Sequence, residues 1–540
     1  MAAQVKSAYR SSLLVLLLVL LLTLALAGCD ASGKEAQTVS AGKSGGILRY
    51  FLREPASIDP AHAMESEGMQ VTKAVFDGLI DYDPKTLEVK PAAAARWRSN
   101  KAGDEWTFWL REGAKFHNGQ SVQASDFVYA WNRVAAKKTA SEVAYHLAPI
   151  EGFDAVQSGK KQKLSGLSAP ETYVLKVKLN YPFADFPKVL GHPVFSPVPK
   201  KEVAKSEKKF GEKPVGNGPF AMETSWWRQK SISLERFADY YGKAAYLDGV
   251  EFKIVDSEQT AFLQFQGGSL DYASIPGGQI KIAAQQFDEN AIIGEPLLVL
   301  NFYGFNLRKA PFKDNPKLRR AINYAVNREV IAEEIYEEAF VAAGGIVPPG
   351  VSDYKERENS YSYKPAKARK LLKEAGYPGG KGLPKLTLIY GAGRGQDAPA
   401  QVFQENLREL GIKVELKGLE RDAFFKALME GKMSMFAAGW QGDYPSRDAF
   451  LYTLFHSESG DNMLGYADKK VDGLIVEARR AGDAEDRREL YEKAEERILR
   501  DAPVVPVTYV GTKLVHASKV EGFVRTPLDD TPLDLIWLAD

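Results

Sequence analysis

Cysteine is almost missing from this sequence, because Cys29 is the only one among 540 residues. A single cysteine excludes an intramolecular disulfide and a metal centre built from several thiolates. The net charge is also close to zero, since 71 Lys and Arg residues nearly balance 70 Asp and Glu residues and leave a formal charge of +1. This balance argues against a surface that binds nucleic acid. After Cys29, no apolar run is long enough to cross a bilayer.

The N-terminus does carry one apolar run. Lys6 and Arg10 precede it, it extends over residues 13–27, and small residues follow it. A basic start, a short apolar run and a small-residue ending are typical of an export signal. Residues 26–29, Leu-Ala-Gly-Cys, resemble the bacterial lipobox, which implies cleavage before Cys29 and attachment of lipid to its sulfur.

On this interpretation residues 1–28 are a lipoprotein signal peptide. Residues 29–44 are rich in Ala, Ser, Gly and Lys, which predicts a flexible tether. The chain is then exported and lipid-anchored to a membrane, facing the periplasm or the cell exterior. Two other interpretations stay open: an uncleaved membrane anchor, and an export signal followed by an incidental cysteine.

Patterns of strand and helix alternate along the rest of the chain, which predicts an α/β fold. The length predicts about two to four folding units. Strands are predicted at 47–52, 105–111, 173–179, 232–236, 250–255, 297–307, 386–390, 413–416 and 504–514. Helices are predicted from Ser125 as the cap, over 319–340, 365–375 and 398–410, and over most of 468–500. The proline-rich stretch 182–199 predicts an extended connection, and 386–416 predicts a βαβ unit.

The candidate motifs for catalysis and cofactor binding in this sequence are incomplete. Residues 42–44 (Gly-Lys-Ser) end like a phosphate-binding loop, but Gln37 stands where that motif needs glycine. Residues 391–395 form a Gly-rich turn, but Gln396 stands where a dinucleotide fingerprint needs glycine. The six histidines show no zinc-motif spacing, and no G-x-S-x-G segment occurs. We therefore expect a protein that is not an enzyme and needs no cofactor or metal.

Several blocks, in order along the chain, resemble the family 5 extracellular solute-binding proteins, the peptide- and nickel-binding group of ABC importers. The longest block is W-T-F-W-L-R-E-G-A-K-F-H-N-G at 106–119. The remaining blocks are G-G at 45–46, S-I-D-P at 57–60, F-D-G-L at 76–79, A-S-D-F at 124–127, G-N-G-P-F at 216–220, F-N-L at 305–307, R-R-A-I at 319–322 and L-L-K-E-A-G-Y at 371–377. S-P-V-P at 196–199 and G-W-Q-G-D-Y at 439–444 are most similar to the oligopeptide-binding members.

This resemblance implies a two-lobed periplasmic-binding-protein fold (type II, cluster C-like) with an extra small domain on the first lobe. It places lobe I at 45–77, 200–298 and 511–540, the small domain at 78–199 and lobe II at 299–510. The chain then crosses between the lobes near Leu298 and Gly511, which are hinge candidates. The implied function is to capture oligopeptides in the cleft between the lobes and deliver them to a membrane permease.

The resemblance also implies a ligand site. Asp443 matches the family position whose carboxylate binds the peptide α-ammonium group, and such a pair forms a charge-assisted hydrogen bond. Spacing alone also fits a turn Asp before Pro445. Trp440 is implied as a wall of the first side-chain pocket, although a core aromatic fits its pattern as well. Gly439 and Gln441 are implied to offer backbone groups to the ligand.

Further ligand contacts are implied on other segments. Asn462 matches a second polar position that contacts the ligand backbone. Four more residues are placed where lobe I and the connecting strand face the cleft: Glu65, Ser66, Ser274 and Phe302. The family's oligopeptide binders often carry basic residues near the Gly-Trp strand, but residues 434–438 have none and the nearest cation is Lys432. This difference favours a longer ligand or one that is not a standard peptide.

The expected partners are a peptide, an ABC permease with its ATPase, and a membrane held through the lipid, with the chain itself a monomer that binds no nucleic acid. Other ligands in the same fold stay open: a nickel–chelator complex, an oligosaccharide, an opine or an antibiotic. A secreted hydrolase, or a chaperone or receptor role, is the alternative of another class.

Overall fold

The structure is a computed structural model that describes residues 44–351, 353–355, 360–392, 395–431 and 433–539. Of Arg421 and Met429 it describes the backbone. The predicted signal peptide at 1–28, the lipidation site Cys29, the tether up to residue 43 and the cation Lys432 lie outside these residues. Within them, no helix is both long enough and apolar enough to cross a membrane.

Strands alternate with helices along the described chain. The strands are β1 (Ile47–Leu52), β2 (Ile80–Tyr82), β3 (Val89–Pro91), β4 (Ala94–Ser99), β5 (Glu105–Leu110), β6 (Leu167–Glu171), β7 (Val174–Lys178), β8 (Phe220–Met222), β9 (Ser231–Arg236), β10 (Gly249–Ile254), β11 (Tyr272–Ser274), β12 (Ile292–Ile293), β13 (Pro296–Phe305), β14 (Val341–Ala342), β15 (Leu386–Gly391), β16 (Val414–Leu419), β17 (Met435–Gln441), β18 (Val504–Gly511), β19 (Leu514–His516), β20 (Val520–Glu521) and β21 (Trp537–Leu538).

The α-helices lie between these strands. They are α1 (Ser66–Val75), α2 (Ala124–Ala135), α3 (Phe153–Gln157), α4 (Phe186–Val189), α5 (Lys200–Lys205), α6 (Glu207–Glu212), α7 (Glu258–Gln266), α8 (Ile280–Gln286), α9 (Pro316–Ala325), α10 (Arg328–Val330), α11 (Pro365–Glu374), α12 (Asp397–Arg408), α13 (Arg421–Glu430), α14 (Asp448–Phe455), α15 (Lys469–Arg480) and α16 (Ala484–Asp501). The chain is therefore a mixed α/β protein, as the alternating pattern predicts.

Three sheets organise the chain. A seven-stranded sheet has the order β12-β19-β11-β1-β10-β9-β8, and a six-stranded sheet has the order β14-β18-β13-β17-β15-β16. A four-stranded sheet, β4-β5-β7-β6, is formed by the segment between β1 and β8. The chain passes between the two large sheets twice, from β12 into β13 and from β18 into β19. The residue bounds of the lobes stay a prediction, and both crossings lie beside the hinge candidates Leu298 and Gly511.

The predicted βαβ unit is confirmed, because β15 and β16 run parallel and α12 connects them. The prediction of one helix over 319–340 is wrong. Helix α9 ends at Ala325, and Val326 is extended before α10 begins. Asn327 caps the new helix by accepting from the Val330 N–H. The buried guanidinium of Arg328 fixes the break by donating to the carbonyl oxygens of Pro506, Asn323 and Val326.

Two smaller predictions also need correction. The segment 182–199 is not wholly extended, since α4 and a 3₁₀ turn at Pro193–Phe195 lie in it, with their prolines in first-turn positions that a helix tolerates. Helix α2 begins at Ala124 after Gln123, whose side chain and that of Asp126 form a capping box, so Ser125 is not the cap. The last predicted strand is two strands, because β18 and β19 belong to different sheets.

Three of the sequence blocks contact one another in the fold: those around 76–79, 117 and 216–220. His117 donates its backbone N–H to the Gly216 oxygen (2.8 Å), and its Nδ1 accepts from the Gly216 N–H (3.2 Å). Its Nε2 lies 3.1 Å from the Gly218 oxygen, and burial lowers the pKa of His117 to about 4. The ring is therefore neutral, with Nε2 as donor. Asn217 bonds both the N–H and the carbonyl of Asp77 (3.1 Å each), so these blocks fix the fold.

The carboxyl group of Asp77 should make the stability of the fold depend on pH. Its Oδ2 accepts from the hydroxyls of Tyr240 (2.7 Å) and Tyr241 (2.5 Å), and burial raises the pKa of Asp77 to about 7. The folded state then binds this proton more tightly than the unfolded state, so the contribution of Asp77 to stability falls as pH rises from about 4 through 7. Asp77→Asn is expected to raise the free energy of unfolding by about 1–2 kcal/mol at pH near 8.

Urea unfolding at pH near 8 and near 5 checks this prediction, because Asp77 is protonated and neutral at the lower pH and the variant then changes little. Asp239→Asn is the matched control, since Asp239 is an exposed carboxylate paired with Lys115. Equal effects of Asp77→Asn at both pH values would contradict the assignment.

Candidate functional site

Among the described residues, strand β17 has a backbone edge that no strand covers beyond Phe436. Its whole length pairs with β13, from Met435 opposite Phe305 to Gln441 opposite Val299. On the other side, the register with β15 covers Met435 and Phe436. The N–H of Gly442, just after the strand, donates to the Leu298 oxygen. Because backbone groups alternate in direction, the N–H and C=O of residues 439 and 441 point away from β13, toward this edge.

A cavity of about 520 Å³ lies along that edge. Strand β17 lines it from Phe436 to Gln441, and β13 contributes Asn301 and Phe302. Strand β15 contributes Gly391, and the other lining residues come from loops and helices: Tyr145, Gln396, Phe424, Phe425, Leu428, Asp443, Leu454, Asp461, Met463 and Leu464. Most of these side chains are apolar. The cavity therefore combines an unpaired strand edge, an apolar wall and two carboxylates.

Asp443 lies two residues beyond β17 and lines both this cavity and a second one of about 330 Å³. Its Oδ2 accepts a hydrogen bond from the Tyr145 hydroxyl at 3.2 Å. Burial, and then the charge of Asp443, raise the pKa of Tyr145, so this hydroxyl stays a neutral donor. Within the part of the chain that the structure describes, the residues lining the larger cavity include no Lys, Arg or His. The carboxylate of Asp443 can therefore bind a positively charged group of a ligand.

Two buried histidines support the ring of Tyr145. Tyr145 stacks on His146 with ring centroids 4.2 Å apart, and His146 stacks on His192 at 4.1 Å. Burial lowers the pKa of both histidines, so the stack is uncharged. Tyr145 itself stays 54% exposed. A rigid stack thus holds an exposed aromatic ring against the carboxylate of Asp443.

The residues predicted on β17 and β13 lie together on the cavity. Gly439 is exposed and lines it, and a Cβ there would lie 2.9 Å from Asn301 Oδ1. Trp440 is half-buried and donates from Nε1 to the Ala449 oxygen at 2.8 Å, which orients its ring against α14. Gln441 is exposed at the end of the strand, and Phe302 lines the cavity although only 5% of it is exposed.

Asn462 is engaged within its own loop. Its Nδ2 donates to the oxygens of His456 (3.2 Å) and Tyr466 (2.7 Å), and its Oδ1 accepts from the N–H groups of Gly465 and Tyr466. The side chain is buried and is not among the residues that line the cavity. In this conformation Asn462 holds the loop that carries Asp461 at the cavity wall.

The residues predicted on lobe I lie in two other cavities. Glu65 and Ser66 line the 330 Å³ cavity together with Asp443. Ser66 and Ser274 line a third cavity of about 190 Å³. Glu65 accepts from the Ala56 N–H at 2.8 Å, and the Ser66 hydroxyl donates to Asp529 at 2.8 Å. Asp443 is therefore the predicted residue that joins the β17 cavity to the lobe I side.

Sequence reasoning missed three features of this site. Tyr145 lies far from the Gly-Trp strand in sequence, and no local pattern marks it as a cavity residue. Asp461 directly precedes the predicted Asn462, but the sequence does not show that Asp461 is the one that lines the cavity. The aromatic pair Phe424 and Phe425 on α13 is visible in the sequence, but adjacent aromatic residues in a helix are typical of an ordinary core, and the 45% exposure of Phe425 comes from the structure.

The two sheets, the double crossing and the cavity on the connecting strand define the class: this is a two-lobed solute-binding protein with a periplasmic-binding-protein fold. The family model of bacterial extracellular solute-binding proteins, family 5 (middle region), matches residues 88–462. The chain belongs to that family. The dipeptide-binding protein DppE of Bacillus subtilis (strain 168) is 32% identical over 538 residues, which is 96% of each chain.

Solved structures agree with this assignment. The unliganded open form of the murein tripeptide-binding protein MppA has a TM-score of 0.81 and 26% identity, with coverage of 92% of this chain and 99% of that one. The DppA protein of Helicobacter pylori in complex with the peptide STSA has a TM-score of 0.72 and 28% identity, with the same coverage. The family and the two-lobed fold predicted from the sequence blocks are confirmed.

Proposed function

We propose that this chain is the peptide-binding lipoprotein of an ABC importer, which encloses an oligopeptide between two lobes and delivers it to a membrane permease. One observation carries the proposal. Asp443 stands at the end of an open strand edge, on a cavity whose described lining residues include no cation. A peptide supplies the α-ammonium group for the carboxylate and a backbone for the edge.

The edge of β17 fits the groups that all peptides share. An extended ligand can add to the edge as a strand, exchanging hydrogen bonds with the backbone of Gly439 and Gln441. Such pairing is independent of ligand sequence, while the apolar wall accepts side chains of different shapes. Trp440, Phe302 and Tyr145 then contact the first ligand residues, and Glu65, Ser66 and Ser274 face the ligand from lobe I once the cleft closes.

Closure follows from the connection between the lobes. The chain crosses near Leu298 and Gly511, and a ligand that touches both lobes favours the closed state by its extra contacts there. The similarity to an unliganded open form supports an open cleft in this conformation. The proposed bounds are 45–77, 200–298 and 511–540 for lobe I, 299–510 for lobe II and 78–199 for the small domain.

Anionic ligands in the same fold fit the cavity less well. Anionic solutes meet the carboxylates of Asp443 and Asp461 with no compensating cation among the described lining residues. Burying such like charges together is unfavourable. The named relatives support peptides, because one is called a dipeptide-binding protein and another is solved with a peptide.

The proposed transport role explains both the lipid anchor and the closable cleft. Lipid on Cys29 keeps the protein near its permease and ATPase, facing the periplasm or the cell exterior. A monomer with a closable cleft is sufficient for capture, and binding needs no catalysis, cofactor or metal.

Selection from a peptide pool tests the proposal. The purified protein is incubated with a mixture of di-, tri-, tetra- and pentapeptides, half of them N-acetylated, and bound peptides are identified by mass spectrometry after rapid filtration. We expect retention of peptides with free N-termini and little retention of acetylated ones. Thermal unfolding should also shift upward with the retained peptides, since they bind the folded state alone. Retention of neither half would contradict the proposed function.

A further inference from the structure

Two carboxylates line the β17 cavity, whereas the α-ammonium group of a peptide neutralises the charge of one. Asp443 and Asp461 are the charged residues among the described residues that line it. They act on each other, because burial and then the charge of Asp443 raise the pKa of Asp461. A ligand with a single α-ammonium group leaves a net negative charge in this partly enclosed cavity, whereas a second cationic group on the ligand removes it.

Asp461 is available for such a group. Its side chain is exposed, and among the described residues its carboxylate has no ion pair or hydrogen bond with a side chain, while its backbone N–H donates to Ser459 Oγ at 3.3 Å. The loop itself is well held. Asn462 makes its four backbone contacts there, and Arg308 donates to the oxygen of Met463 at 2.7 Å. Asp461 is therefore an exposed carboxylate on a fixed loop at the cavity wall.

The walls around Asp461 suit the aliphatic part of a basic side chain. Met463 and Leu464 follow it in the loop, and Phe424, Phe425 and Leu428 of α13 line the same cavity. Lysine and arginine side chains lay their methylene stems along apolar surface and keep the charged end at a polar group. An aromatic face near a cation adds attraction of its own.

We propose that this cavity selects ligands with a second positive charge next to the α-ammonium group, as in a peptide whose first residue is lysine or arginine, and that Asp461 binds this second charge. The proposal rests on the peptide-binding function proposed above. It assigns Asp443 to the chain end and Asp461 to the side chain of the first residue.

Paired probes that differ by one charge test the proposal. Lys-Ala-Ala and norleucine-Ala-Ala have first side chains of nearly equal length, and calorimetry gives the affinity of each. The protein is expected to bind the lysine peptide about tenfold more tightly, as one charge-assisted contact in a partly enclosed site allows. Asp461→Asn should reduce this preference to about twofold or less and leave the affinity for the norleucine peptide nearly unchanged.

The control is Asp422→Asn, which removes the same charge from an exposed position on α13 that does not line the cavity. It should keep the full preference for lysine. Equal affinity for the two peptides in the unmodified protein overturns the proposal and leaves the peptide function intact. A loss in Asp461→Asn that is the same for both peptides also overturns it. Binding of neither peptide also overturns this proposal, whereas the peptide function is judged by the peptide pool.

Discussion

Asp443→Asn is expected to weaken the binding of peptides with a free α-amino group by about 30- to 100-fold. The variant keeps an acceptor for the Tyr145 hydroxyl, which lies 3.2 Å from Oδ2, so the local structure should persist. It removes the negative charge that faces the ligand. A charge-assisted hydrogen bond contributes about 2–3 kcal/mol, and each 1.4 kcal/mol corresponds to about tenfold in affinity. Calorimetry with a peptide retained from the pool measures the change.

The N-acetylated form of the same peptide is the control ligand, because acetylation removes the positive charge and keeps the backbone. Its weaker binding should be almost the same in Asp443→Asn and in the unmodified protein. Asp422→Asn is the control variant, with the same change of net charge away from the cavity. An equal loss for the free and the acetylated peptide would refute the role given to Asp443.

Much of the fold could be predicted because its strands alternate clearly and its family blocks are long. Strand β5 reads Glu-Trp-Thr-Phe-Trp-Leu, with buried and half-buried residues in strict alternation, and the structure has it where predicted. The error over 319–340 has a different origin. The side chains of that stretch repeat with helical spacing, but the chain is extended at Val326, Asn327 caps a new helix by accepting from the Val330 N–H, and Arg328 donates to the Pro506 oxygen of β18. A local pattern carries no information about such distant partners.

The candidate site divides in the same way. Gly439, Trp440, Gln441 and Asp443 lie within five consecutive residues, so one recognisable segment was enough to predict that they lie together. Tyr145 is 298 residues from Asp443 in sequence and meets it only because the segment after α2 lies against the end of β17. The fold brings these residues together, and their spacing in the sequence does not reveal it.

Helices α14 and α15 and the segment 181–185 meet beside the loop that carries Asp443, and a buried ion pair lies at this junction. Arg479 of α15 donates from Nε and Nη2 to the two carboxylate oxygens of Asp448, each at 2.8 Å. Asp448 also accepts from the hydroxyls of Tyr491 (2.9 Å) and Tyr444 (2.8 Å), so its charge is fully satisfied. The guanidinium lies 3.3 Å from the ring centroid of Tyr452.

The same arginine fastens the segment before α4 to this junction. Tyr181 and Phe183 each lie with their ring centroid 5.2 Å from the Arg479 guanidinium, and the N–H of Ala184 donates to the Arg479 oxygen at 2.8 Å. Asp185 next to them accepts from the Ser446 hydroxyl at 2.5 Å. The Arg479 side chain thus joins α15 to α14 and packs against Tyr181 and Phe183, and the hydrogen bonds of Ala184 and Asp185 hold the rest of that segment beside the loop that carries Asp443.

Arg479→Met is therefore expected to lower the free energy of unfolding by about 3–5 kcal/mol, because it leaves the buried carboxylate of Asp448 without its cation. Urea unfolding followed by circular dichroism measures the loss. The matched control is Arg480→Met, which removes an exposed arginine from the next position of the same helix and should cost less than about 1 kcal/mol. The double variant Arg479→Met/Asp448→Asn should lose less than the two single variants added together, since it leaves no unpaired charge. Equal losses for Arg479→Met and Arg480→Met would show that the ion pair does not hold the junction.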